Sequence, residues 1–402
     1  MSPVNTPLRL VSLACLLALT ACGGGSDGDE TATAEQATAA TVSDAELAQA
    51  SALLDTSSDA TGWTDAEGTS EADSADEEAT LTASAVATAS RTSKRGSSTT
   101  TTTTTTTTVA DSARIAAAAA TAQSSSNACS KVRPFYWEIG DSAGKKTSGS
   151  VASGSTAAVK SSAPITIASA SKWLYGAYVA QARSGTLSAT DRKYLAMTAG
   201  YVSLKSCSGL ASVDACLASG SNGVYSSGYE GVFKYDGGHM EKHASLNGLG
   251  KLTTKALATE VRAKLGTDVS LMYSQPLMAG GAVISTDAYA LFLRKVLGGK
   301  LQMKSLLGTG SVCTNPSTCI TAAYAPLPLS ESWHYSVGHW VEDDPKVGDG
   351  AFSSPGAFGF YPWIDATKTS YGIVARVSAN GALGSVNCGR LIRSAWATGV
   401  AK

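Results

Sequence analysis

The chain has 402 residues, 43% of them hydrophobic, with seven Trp, fourteen Tyr and a formal net charge of -1. Beyond its first two dozen residues no apolar run reaches the length of a membrane span, which excludes a multi-span membrane protein. The near-neutral balance argues against a nucleic-acid partner, but it averages two unlike parts. Residues 23–90 carry fifteen carboxylates and no Lys or Arg, whereas residues 129–402 carry 26 Lys and Arg against 16 Asp and Glu. Either the second part has an ordinary solvated surface, or it meets anionic material or its own acidic segment.

Arg9 precedes the apolar stretch Leu10–Ala21, the pattern of a secretory signal. Leu19-Thr20-Ala21-Cys22 resembles a bacterial lipobox. That resemblance implies cleavage before Cys22, lipid on its sulfur, and a place in the bacterial cell envelope facing the periplasm or the exterior. Gly23 after the cysteine points to the outer rather than the inner membrane; an ordinary signal peptide is the alternative. Residues 1–21 are thus expected as signal, 22–127 as tether and 128–402 as one folded domain. The tether has one aromatic, Trp63, and ten consecutive Thr from Thr99 to Thr108. So little apolar surface cannot offset the entropy of ordering, and disorder is expected. Short helices around Asp44–Leu54 and Ala110–Ala122 have no evident partner.

Cys15 leaves with the signal and Cys22 takes lipid, so six cysteines remain, an even number that argues for disulfides in an exported domain. Short spacing favours Cys207–Cys216 and Cys313–Cys319, leaving Cys129–Cys388 to join the start of the domain to its last helix. No CxxC occurs, and His239, His243, His334 and His339 lack the HExxH spacing; no metal or other cofactor is expected.

Within the domain, Phe135-Tyr-Trp-Glu-Ile139 predicts a strand, Gly140–Gly144 a turn and Ser148–Val159 a return strand. Ile165-Thr-Ile167 leads into a helix over Ser169–Arg183, with further helices at Thr190–Met197, Thr253–Leu265 and Thr286–Leu297. Strands follow at Trp333–Val341, Ala357–Ile364 and Tyr371–Val377, then a helix over Cys388–Ala397. Strands at both ends with helices between them predict an α+β fold, an antiparallel sheet flanked by helices with an inserted helical region.

Two serines compete for the chemistry. Gly140-Asp-Ser142-Ala-Gly144 matches the GxSxG elbow, but no sheet precedes it and no helix follows, so it reads as a hairpin turn. Ser169-Ala-Ser-Lys172 opens an apolar helix, where residues three apart share a face. Burial against Trp173 and Leu174 would lower the lysine pKa far enough for it to act as a base, and the helix N-terminus favours developing negative charge. Alone, this motif reads as a helix cap with an exposed lysine.

Further motifs follow it: Phe233-Lys-Tyr235-Asp-Gly237, Ala279-Gly-Gly281…Ser285-Thr286 and Ser354-Pro-Gly356-Ala357. In this order the chain resembles the penicillin-recognising serine hydrolases, a family of class C β-lactamases, DD-peptidases and related esterases and amide hydrolases. Tyr194-Leu-Ala-Met-Thr-Ala-Gly200 looks like their LLTHTSG segment, and the likeness spans about residues 133–400. It implies Ser169 as nucleophile, Lys172 as base, Tyr235 as proton carrier (as phenolate or through Lys172), and the N–H groups of Ser169 and Ala357 as oxyanion hole. Ser354 and Gly356 would position that hole at the edge of a strand. A packed core tyrosine is the other reading of Tyr235, and His239 reads as structural.

Two motifs depart from the family. Its Tyr-x-Asn stands here as Tyr235-Asp236-Gly237, and its Lys-Thr-Gly or His-Thr-Gly as Ser354-Pro355-Gly356. The first loses an amide and the second a cation, which weakens the case for β-lactam hydrolysis but leaves acyl transfer intact. A lipid-anchored serine hydrolase acting on an ester or amide (a β-lactam, a cell-wall peptide or a short ester or oligomer) is the expectation, with a monomeric state. The competing class is an inactive surface binding protein on the same fold.

Overall fold

A computed structural model of the chain describes residues 109–402. The signal over 1–21, Cys22, the Asp44–Leu54 helix and the tether up to residue 108 lie outside the described residues.

The main sheet has eight strands, all pairs antiparallel. In chain order they are β1 (Phe135–Asp141), β2 (Lys145–Val151), β3 (Val312–Cys313), β4 (His334–Tyr335), β5 (Trp340–Glu342), β6 (Ala351–Ser353), β7 (Tyr361–Ile364) and β8 (Ser370–Ala375). The spatial order is β2-β1-β8-β7-β6-β5-β4-β3. The amino-terminal hairpin therefore adds to the last strand of a C-terminal meander. Residues 152–311, between β2 and β3, supply most of the helices, so the architecture is α+β as expected.

Strands β1, β6, β7 and β8 are buried along almost their whole length. Both faces of the sheet are covered, and for that reason Phe135-Tyr-Trp-Glu-Ile139 and Tyr371-Gly-Ile-Val-Ala375 read as continuous apolar runs rather than alternating ones. At Gly372 the indole of Trp363, its cross-strand partner, occupies the space a Cβ would need. One face carries helix Ala382–Thr398 and the other helix Thr286–Leu297, which packs on β8 and β1. Helix Ser171–Ala182 is buried on every side from Ser171 to Ala180, the signature of a helix running through a core rather than over it.

Several boundaries move. The return strand ends at Val151 rather than running on to Val159. The stretch Trp333–Val341 is two strands joined by a turn at Ser336–His339, with Ser336 N donating to His339 O at 2.8 Å. Residues 357–360 are not strand, because Gly356 N bonds to Phe360 O at 2.8 Å and Gly359 adopts φ 89°, which closes a turn before β7. The tether also ends earlier than residue 127. Helix Asp111–Gln123 buries Ala117, Ala118, Thr121 and Ala122 and packs on the C-terminal helix, a partner that lies far away in sequence. Cys129–Cys388 ties the same two regions together, and Cys207–Cys216 and Cys313–Cys319 close the two short loops. Among the described residues no helix is long and apolar enough to cross a membrane.

Candidate active site

Three separate segments meet at Ser169. The first is its own: Ser169 lies in a single 3-10 turn, Ala168–Ala170, that precedes helix Ser171–Ala182 rather than opening it. Strand Pro164–Thr166 leads into the turn and pairs with Ala282–Ser285, the second segment. Ser171 Oγ accepts Ala282 N at 3.2 Å and Ile167 N donates to Ala282 O at 3.3 Å. The third segment is Ser354–Ala357, whose Ser354 Oγ donates to Ser169 O at 3.1 Å. Ala168 sits at φ 42°, a left-handed conformation that costs a residue with a Cβ and persists where surrounding contacts impose it.

The arrangement brings Lys172 onto Ser169. Lys172 Nζ is 2.9 Å from Ser169 Oγ and donates to Ala279 O at 2.8 Å. The side chain is 5% exposed. Burial lowers its pKa from 10.5 to about 7, and the charge of Asp236 offsets this only in part. With the amine neutral, the contact to Ser169 also runs the other way, the hydroxyl donating to the nitrogen lone pair.

Tyr235 closes the far side. Its ring stacks on Trp340 with centroids 5.2 Å apart, meets Tyr335 edge-on at 5.8 Å, and lies 4.8 Å from Lys172 Nζ. It is both a packed core tyrosine and a neighbour of the nucleophile, so the two readings of this residue do not exclude each other. Burial pushes its phenol well above 10, against smaller opposing effects of hydrogen bonds with Ser169 and Trp340. The phenol therefore stands protonated at neutral pH.

Ala357 lies in a loop, not at the edge of a strand. Its carbonyl accepts Gly381 N at 2.7 Å, while among the described residues its N–H has no acceptor. An N–H held beside the nucleophile turn and left unpaired is the form an oxyanion donor takes. The close approach depends on Gly356, where any Cβ would overlap the Ile167 carbonyl. Gly356→Ala should push the Ala357 N–H away from Ser169 and lower acylation by on the order of 10²-fold, the typical effect of losing one such donor. Labelling rates by a serine-directed probe measure it, and a rate within twofold of wild type would contradict this geometry.

The departures have visible occupants. Where the resemblance places an amide, a Cβ on Gly237 would come 2.7 Å from Leu204 Cδ2 and 3.0 Å from Ala279 Cβ. Asp236 turns its carboxyl to the backbone, accepting Gly238 N at 2.8 Å and Leu204 N at 3.2 Å. Pro355 and Gly356 offer no cation. His239 is structural: its Nδ1 accepts Ala199 N and its Nε2 donates to Lys234 O, both at 3.1 Å, and burial lowers its pKa to about 4. Ser142 lies in the β1–β2 turn, where Asp141 Oδ1 caps Ala143 N at 2.8 Å, apart from Lys172 and Tyr235.

Three contributors escaped the sequence reading. Leu204 fills the space beside Gly237. Tyr324 accepts Tyr235 N through its carbonyl at 3.0 Å, from a strand, Ala322–Tyr324, that pairs parallel with Phe233–Lys234. Glu241, fully buried, accepts Met278 N at 2.8 Å. None stands in a motif, and no pattern along the chain marked them.

No family model matches the chain, and no curated protein matches it. Among solved structures it is similar to a putative β-lactamase from Bacteroides dorei, at 16% identity and a TM-score of 0.47 over 66% of this chain and 95% of that one. It is also similar to a penicillin binding protein from Bacillus halodurans, at 12% identity and 0.47 over 64% and 97%. A third is EstCE1, a hydrolase with promiscuous acyltransferase activity, at 13% identity and 0.48 over 71% and 99%.

Proposed function

We propose that the chain is a serine hydrolase that works through an acyl-enzyme on an uncharged ester or short amide, exported by residues 1–21 and held at the bacterial envelope by lipid on Cys22. The observation that carries the chemistry is Lys172, buried, 2.9 Å from Ser169 Oγ and with its pKa brought to about 7. Ser169 Oγ attacks the acyl carbon as its proton passes to Lys172, and the oxyanion is met by the N–H groups of Ser169 and Ala357. The leaving group departs with that proton, returned by Lys172 and relayed through the Tyr235 hydroxyl. Water then repeats the sequence against the ester on Ser169, releasing the acid and restoring the serine.

Two features favour an uncharged substrate. Nothing at Ser354–Gly356 supplies a cation for a carboxylate, and Leu204 with Ala279 makes the wall at Gly237 apolar. The test is covalent labelling with a fluorophosphonate, followed by peptide mapping. Wild type should label on Ser169 and Ser169→Ala should not; unlabelled wild type, or equal labelling of the variant, would overturn the proposal.

A further inference from the structure

Glu241 is a buried carboxyl close to the site for which the mechanism above has no use. It lies on helix Gly238–Ala244, directly after Tyr235, and is completely buried. One oxygen, Oε2, accepts Met278 N at 2.8 Å; the other, Oε1, has no partner. Met278 opens the turn whose next residue, Ala279, offers its carbonyl to Lys172 Nζ at 2.8 Å. A chain of contacts thus runs from Glu241 through the backbone of Met278 and Ala279 to the amine that faces Ser169.

We propose that Glu241 is a positioning residue: its carboxyl holds the Met278–Gly281 turn so that Ala279 O aims the Lys172 amine at Ser169 Oγ. The inference rests on the acyl-transfer reading and adds to it the group that sets where the base stands. The same carboxyl links the helix following Tyr235 to that turn, so it fixes base and proton carrier relative to each other.

The surroundings of Glu241 contain no counter-charge. Tyr175 faces it from helix Ser171–Ala182 and Tyr273 from strand Leu271–Tyr273, and the paired sulfurs of Cys207 and Cys216 lie within 4.8 Å. Among the described residues no Lys, Arg or His forms an ion pair with it. Burial accordingly raises its pKa to about 8, with the Met278 N–H bond pulling the other way. Neutral, it carries no uncompensated charge. Ionised, it is an unpaired charge in low dielectric, which destabilises the packing that holds the turn. The pKa is raised, so the contribution to stability is present below the ordinary carboxyl value and is lost as pH rises through about 8.

The experiment compares fluorophosphonate labelling of wild type, Glu241→Gln and Glu241→Leu across pH 5–10, with thermal unfolding of each. Glu241→Gln keeps an acceptor for Met278 N and cannot ionise. It should label at the wild-type rate at pH 7 and lose the decline that wild type shows above about pH 8. Glu241→Leu, which removes the acceptor, should label at least tenfold more slowly at pH 7 while still unfolding cooperatively. Superimposable profiles for wild type and Glu241→Gln, or a wild-type rate in Glu241→Leu, would overturn the inference while leaving Ser169 labelling, and so the hydrolase reading, intact. Absence of labelling in wild type would overturn both.

Discussion

Lys172→Met should slow acylation of Ser169 by on the order of 10²–10⁴-fold, the range for loss of a positioned general base. Met keeps the length and apolar stem of the side chain, so the buried helix around it should fold unchanged. The effect comes from position and protonation together. Among the described residues the amine has Ser169 Oγ and Ala279 O as hydrogen-bond partners, and burial brings its pKa to about 7. A group with a pKa of about 7 is roughly one-tenth neutral at pH 6, so labelling by a fluorophosphonate should rise several-fold from pH 6 to a maximum near pH 8. Lys172→Arg should be as inactive as Lys172→Met, since a guanidinium holds its proton in proteins. Rates against pH for the three proteins settle the point. A wild-type profile flat between pH 6 and 8, or appreciable activity in Lys172→Arg, would exclude this base.

The largest stability effect is expected away from Ser169, where the sheet meets the C-terminal helix. Glu342 at the end of β5 is fully buried and accepts from Arg390 Nε at 3.1 Å, Arg393 Nη2 at 2.9 Å and the Tyr361 hydroxyl at 2.6 Å. Arg393 continues to Asp349 and Arg390 to Glu331. Burial alone would raise the Glu342 carboxyl, but the two guanidinium groups win and hold it at about 2. Removing one partner of such a cluster strands the others' charge in low dielectric. Glu342→Gln should therefore cost about 3–5 kcal/mol, read as a fall in the denaturant midpoint at unchanged slope. The sign with pH follows from the lowered carboxyl: its contribution is present above the ordinary value of 4.5 and is lost as pH falls toward about 2. Glu342→Gln should flatten the acid side of the stability curve. A cost below 1 kcal/mol would mean that the arginines find other partners. The network matters to the site because β5 also carries Trp340, on which Tyr235 stacks.

Much of this was open to reading along the chain. The apolar blocks marked β1, β8 and the helix after Ser169, because burial on both sides leaves an unbroken hydrophobic run. The helices expected at Thr286–Leu297 and Thr253–Leu265 are present, and Ser285 and Thr253 cap them, each accepting a backbone N–H from three residues on. Spacing of three brought Ser169 and Lys172 to one face even though a 3-10 turn, not the helix itself, carries the serine. Ser142 could be set aside on its flanks alone.

Local pattern did not extend to whatever depends on segments remote in sequence. Helix Asp111–Gln123 looked partnerless because its partner begins some 260 residues later, at Ala382. Ala357 was placed at a strand edge because Ala357–Ile364 is apolar throughout; the turn at Gly356–Phe360 follows from how the loop seats on Ile167. The protonation states of Lys172, Tyr235 and Glu241 are likewise collective properties, since desolvation depends on everything packed around a group and not on its neighbours in the chain. Residue types and their spacing thus named the candidate groups, while folding set their charge, their aim and, at Leu204 and Glu241, the company they keep.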